Sequence, residues 1–114
     1  MPLTDLERMV HMLEYAEKTM RIAQGHHRED LEQDTKLLFA VLHGVQTIGE
    51  AAACVSEAGR NAATNIPWRQ IISMRNRLVH GYDSVHHDIL WDTVQKHIPE
   101  LIEELMRIIP PEQT

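Results

Sequence analysis

The run Leu38-Phe39-Ala40-Val41-Leu42-His43-Gly44-Val45-Gln46-Thr47-Ile48-Gly49-Glu50-Ala51-Ala52-Ala53-Cys54-Val55 decides the fold. Leu38, Val41, Val45, Ile48, Ala52 and Val55 recur at alternating spacings of three and four, the seam of a helix that packs along its whole length. Ala40, Gly44, Gly49 and Ala51 are small enough to let neighbouring backbones come close. A helix is predicted over residues 30–56.

The flanking segments repeat the helical signal. Thr4 and Glu7 have the spacing of a capping box, and Leu6, Met9, Val10, Leu13, Met20 and Ala23 form one apolar stripe behind them. Gly25-His26-His27 ends that first helix. Residues 59–65 read as a loop, Asn65 as an N-cap and Pro67 as a first-turn residue of a third helix closing at Gly81. A fourth is predicted over 87–96. Pro99 then opens a last helix carrying Leu101, Ile102, Leu105, Ile108 and Ile109, which Pro110-Pro111 stops. No segment alternates with a period of two, and no repeat or linker interrupts the chain. The expected fold is all-α, an up-and-down bundle of four to five helices forming one domain over residues 1–114.

The sequence has 114 residues, so much apolar surface stays exposed unless a partner subunit covers it. A net charge of −6 argues against a protein that coats polyanions over its whole surface. It leaves room for a local basic site, and Arg60, Arg69, Arg75 and Arg77 cluster in sequence. Without a membrane-spanning run or an apolar leader, a soluble cytoplasmic protein is expected. The lone Cys54 sits among alanines and is expected to pack, in keeping with a reducing compartment. Trp68 and Trp91 read as core or interface anchors. The eight histidines raise the question of a metal. The adjacent pairs His26-His27 and His86-His87 point in divergent directions on a helix, and no H-E-x-x-H or cysteine pair is present, so neither metal nor cofactor is expected.

The densest chemistry lies in Met74-Arg75-Asn76-Arg77-Leu78-Val79-His80-Gly81-Tyr82, preceded by Ile66-Pro67-Trp68. On a wheel of about 100° per residue, Met74, Leu78, Ile71, Val79 and Ile72 share one arc with Arg75 in its middle. Arg75 is thus expected to face packed surface, where a guanidinium needs a carboxylate, carbonyls or a phosphate. A structural ion pair and a phosphate clamp both satisfy that need. His80 is suited to proton transfer near neutrality, though a histidine near a helix end also serves as a dipole or capping partner. Five residues separate it from Arg75, about 140° on an ideal helix, so the two meet only if the helix loosens near Gly81 or the site is completed across a dimer. Asn76, four residues before His80, is placed to fix its tautomer or hold a phosphate oxygen. Arg69 and Arg77 are either solvated charges or an extension of a phosphate-binding surface. Tyr82 is either a packing residue or an exposed phenol.

The stretch from Ile66 through Tyr82, followed by Val85, Trp91 and Ile98-Pro99 and preceded by Ile48-Gly49-Glu50-Ala51-Ala52, resembles the HepT-like branch of the HEPN superfamily. The resemblance covers most of the chain, and its core is an arginine, four residues, a histidine, one residue and a tyrosine. It implies an all-helical, homodimeric, metal-independent endoribonuclease that acts as the toxin of a type VII toxin–antitoxin system. It assigns catalysis to Arg75 and His80 in a cleft between subunits, with Asn76 accompanying the arginine. It also implies that a partner nucleotidyltransferase of the minimal (MNT) type, the antitoxin, adenylylates Tyr82 and so silences the toxin. A bulky anion there would repel an RNA phosphate. In the expected reaction the RNA 2′-hydroxyl attacks phosphorus, His80 moves a proton and Arg75 stabilises the phosphoryl charge. The rival reading is a non-catalytic helical module in which Arg75, Asn76 and His80 bind a nucleotide or the partner transferase.

Overall fold

The computed structural model describes residues 4–80 and 84–113, with His80 and Gln113 described by backbone alone. Its first helix, α1, spans Asp5–Ala23, and Thr4 caps it by accepting the Glu7 N–H at 3.1 Å. Gly25 follows with φ +82°, a backbone conformation that favours glycine and turns the chain. The next helix is not continuous over 30–56 as the pattern suggested. It divides into α2 (Asp30–Gln33) and α3 (Thr35–Ala53). Asp34 makes the break: its backbone is extended (φ −120°, ψ 98°), and its side chain accepts the Leu37 N–H at 3.1 Å, capping a fresh helix.

The region read as a loop contains a short helix, α4 (Glu57–Asn61), started by Ser56, whose hydroxyl accepts the Gly59 N–H at 3.1 Å. Helix α5 spans Trp68–Leu78. Its N-cap position is Pro67 and not Asn65. Trp68 secures this entry by donating its Nε1–H to Ala63 O at 3.0 Å from a buried position. α5 also ends earlier than the glycine signal indicated. Val79 is extended, and Val79–His80 (β1) pairs antiparallel with Ser84–Val85 (β2), Val79 opposite Val85 and His80 opposite Ser84. The expected C′ residue Gly81 lies outside the described residues.

The fourth and fifth predicted helices are one run. Helix α6 (His87–Asp92) continues through a π-helical turn at Thr93–His97 into α7 (Ile98–Ile108). The turn has two causes. Pro99 has no N–H to donate to the carbonyl one turn back, and the Ile98 N–H reaches to Thr93 O instead. The buried Thr93 also donates its hydroxyl to Ile89 O at 2.7 Å, competing with the helical ladder.

Helix α3 packs on α1 and on α5, while α1 also packs on α7. Met12 and Ala16 of α1, Val41 and Ala52 of α3, Leu78 of α5, Leu90 and Leu105 are fully buried between them. The all-α expectation holds, with one two-rung ladder added. Four of the six seam positions, Val41, Val45, Ile48 and Ala52, are buried within α3, Val55 is buried just beyond it, and Leu38 is half-buried. Cys54, expected to pack, is exposed because α3 ends at Ala53 and the chain turns there. Trp91 is half-buried against the core.

The α1–α3 contact gives a sharp prediction. A Cβ built on Gly44 collides with Thr19 Oγ1, a buried hydroxyl held by its bond to Tyr15 O at 2.6 Å. Gly44→Ala should therefore destabilise the fold by about 1–3 kcal/mol despite alanine's better helix propensity. Thr19→Ala in the same chain should restore most of that loss in urea unfolding. A second prediction concerns acid. Asp5 accepts the Ser56 hydroxyl at 2.5 Å and the Ser56 N–H at 2.9 Å, tying the start of α1 to the start of α4. These two bonds, the hydroxyl's first, hold the Asp5 carboxyl below the ordinary aspartate range. Stability from this link is present above the unfolded aspartate pKa of about 3.9 and disappears as pH falls through the lower folded value. The urea midpoint of Asp5→Asn should change less than that of the unaltered protein over this acid range.

Candidate functional site

Helix α5 carries three arginines, Arg69, Arg75 and Arg77, and no carboxylate. All three are exposed and none has an ion-pair partner among the described residues. The contrast with Arg28 is plain. That guanidinium bonds Glu32 at 2.8 Å and Asp88 besides, and Glu32 before Asp88 raises its pKa. Here the chain's positive charge is already spent on its own carboxylates, whereas on α5 it is left for something outside.

Trp68, Met74 and Leu78 bury the inner face of α5 against the core. Ile71, which lies between them on the wheel, meets α3 at Gly49, where a built Cβ would stand 3.2 Å from Ile71 O. Such a Cβ would also lie 3.8 Å from Arg75 Cγ and 4.0 Å from its Cδ. So the aliphatic stem of Arg75 passes Gly49 with room for about one methyl group between them, and the residue is exposed. This corrects the expectation that Arg75 faces packed surface. In the last two turns of α5 the buried positions are Met74 and Leu78, about 60–100° round from Arg75, whereas Trp68, about 20° from it on the wheel, is buried two turns earlier. An arginine laid along a neighbouring helix in this way keeps its stem dry and its guanidinium wet.

Asn76 and Arg69 are exposed on the outward side of α5. Arg77 lies on the opposite flank from Arg75, about 160° away on the wheel. It lines a groove of about 640 Å³ between α5 and α7, floored by Val45, Ile48, Ile71 and Met74 and rimmed by Gln70, His97, Glu100, Glu103 and Glu104. The fold therefore separates two arginines that stand close in sequence. Sequence reasoning missed this groove, since nothing in the local pattern says which helices flank each other without touching.

His80 is not on a helix. Its backbone belongs to β1, and beside that ladder the His86 N–H donates to Leu78 O at 2.7 Å. The wheel argument separating His80 from Arg75 by about 140° and the helical reach from Asn76 to His80 both lapse, because helical geometry stops at Leu78. The histidine backbone emerges in extended form directly beyond the last turn of the arginine helix. The His80 side chain and the whole of Tyr82 lie outside what the structure describes. Among the described residues no group of three or more His, Cys, Asp or Glu side chains is arranged to hold a metal. His26 and His87 instead approach Asp30 and Glu32, at 3.4 and 3.8 Å.

Fold and charge together define a class: a helical domain whose arginine helix has no ion-pair partner among the described residues and runs into a histidine-bearing strand. Residues 12–108 match the family described as HepT-like ribonucleases. A protein of Caldanaerobacter subterraneus subsp. tengcongensis named as an RNase is 32% identical over 103 residues, covering 90% of this chain and 92% of that protein. One of Thermococcus cleftensis named as a ribonuclease HepT is 38% identical over 73 residues, 64% of this chain and 66% of that protein. One of Methanocaldococcus jannaschii, also named as an RNase, is 27% identical over 110 residues, 96% of this chain and 91% of its own. No solved structure matches. The chain belongs to the HepT-like ribonuclease family, and its enzyme class is that of an endoribonuclease.

Proposed function

We propose that this chain is the metal-independent endoribonuclease toxin of a type VII toxin–antitoxin pair, with Arg75 and His80 as its catalytic residues. The observation that carries the reading is Arg75 itself. Its stem passes Gly49, the residue is exposed and has no carboxylate partner among the described residues, and the His80 backbone leaves the same helix one short step later. A chain of net charge −6 that leaves one helix entirely cationic favours a phosphate as the missing partner.

In the proposed reaction the RNA 2′-oxygen forms a bond to the adjacent phosphorus as the bond to the 5′-oxygen breaks. The hydroxyl proton leaves during attack and a proton is delivered to the departing oxygen. His80 performs one of these transfers as general base or acid. Arg75 stabilises charge gathering on the non-bridging oxygens. Asn76 and Arg69, exposed on the outward side of α5, hold neighbouring phosphates, and Arg77 contributes from the groove flank.

The chain acts as a homodimer in the cytoplasm, its site completed across the subunit boundary. Large exposed apolar side chains support a subunit contact, Phe39 at 66% and Met106 at 59% exposure. No helix among the described residues is long and apolar enough to cross a membrane. The partner antitoxin, a minimal nucleotidyltransferase, silences the enzyme by adenylylating Tyr82, two residues beyond His80 in sequence. The added phosphate brings negative charge beside the cationic helix and competes with RNA for it.

Arg75→Ala and His80→Ala should each lower RNA cleavage by about 10²–10⁴-fold, while EDTA leaves the unaltered enzyme active. Undiminished cleavage in both variants would remove the assignment. Mass spectrometry after co-expression with the partner transferase should find an adenylyl group on the Tyr82 peptide and none in Tyr82→Phe.

A further inference from the structure

A second cationic surface lies away from α5, on the outer flank of α1. Arg8, His11, Tyr15 and Lys18 follow one another at spacings of three and four. They fall within an arc of about 80° and extend for about 15 Å. No carboxylate falls inside the arc. Glu7 and Glu14 border it, four residues before His11 and Lys18, yet neither forms an ion pair with the stripe among the described residues. Lys18 turns the other way, its Nζ standing 5.3 Å from the centre of the Tyr15 ring. That ring meets the exposed His43 of α3 edge-on, with centroids 6.1 Å apart and planes at 71°. Arg8 Nε is buried and has no hydrogen-bond partner among the described residues.

We propose that this α1–α3 flank is a secondary docking stripe for the backbone and bases of single-stranded RNA, apart from the cleavage site. The inference rests on the ribonuclease reading and adds to it where the strand runs. Charge complementarity selects the occupant. In a chain of net charge −6, a stripe holding two strong cations and no acid attracts a polyanion. Next to those cations, the exposed His43 ring offers what single strands use and duplexes withhold, a flat face for an unstacked base. Helix α3 separates this flank from the seam where Arg75 sits, so a strand crossing α3 reaches both.

The test uses the full-length protein and a fluorescent oligouridylate about twenty nucleotides long, methylated at every 2′-oxygen so that it binds without being cut. Anisotropy is followed across a potassium chloride series. The double variant Arg8→Gln/Lys18→Gln should bind about tenfold more weakly, and its slope of log K against log salt should be shallower by about 1.4, two phosphate contacts' worth. His43→Ala should weaken binding by about fivefold and leave the slope unchanged, because stacking releases no counterions. Lys96→Gln, which removes a cation already paired with Asp92 at 3.0 Å, should change neither quantity.

Absent binding by the unaltered protein, or equal affinity and slope in the double variant, overturns the stripe. So does a double variant whose sedimentation shifts while its RNA affinity holds, since the flank would then be a protein contact. Failure of the cleavage assignment shows separately, in the Arg75 and His80 variants acting on unmodified RNA.

Discussion

Everything in this fold is spaced by the two glycines of α3. Gly44 lets the hydroxyl of Thr19 occupy the place where a side chain would stand, and Gly49 lets the carbonyl of Ile71 approach to 3.2 Å of where a Cβ would be on the other side. α1 and α5 therefore lie against one central helix at backbone distance, and the seam of Val41, Val45, Ile48 and Ala52 is sealed between them. The Arg75 stem passes the same glycine, at ordinary van der Waals range of where a Cβ would stand, so the approach of α3 to α5 and the course of the candidate arginine meet at one position.

The second determinant is how α5 stops. Leu78 is fully buried, and its carbonyl is taken by the His86 N–H, so the last turn is fixed from both sides. Val79 then pairs across to Val85 in place of extending the helix. β-Branched side chains fit a ladder more readily than a helix end, and the pairing gives partners to backbone groups beyond Leu78. The change from helical to extended backbone falls between the arginine and the histidine. It removes the angular conflict that a continuous helix would have imposed on the pair.

Much of this was legible in the chain. The seam of α3, the Thr4 cap and the stop at Pro110 are local signals, written in spacing and turn chemistry, and the structure keeps them. What was not legible depends on competition or on distance. Asp34 and Ser56 are ordinary polar residues until their side chains capture a nearby N–H, so the break before α3 and the short α4 were hidden in plain composition. The π-helical turn needed both Pro99 and the inward hydroxyl of Thr93, and only the second fact required the fold. Arg75 was placed at the centre of an apolar arc because Val79 and Ile72 were counted in that arc. Both are half-buried, and Val79 lies beyond the helix.

The distribution of charge follows from these placements. Arg28, Lys96 and Arg107 each hold a carboxylate of their own chain. The arginines of α5 hold none among the described residues, although the chain has 17 acidic residues against 11 basic ones. An excess of acid makes unpaired cations harder to maintain, since a flexible carboxylate within reach would find them. α5 contains no acid of its own, and the glutamates of α7 gather on the Arg77 flank, about 160° round the helix from Arg75. A globally negative protein repels polyanions everywhere except where its acids have been excluded. Net charge and local charge thus act together, the first discouraging indiscriminate adsorption and the second leaving a narrow place for a phosphate.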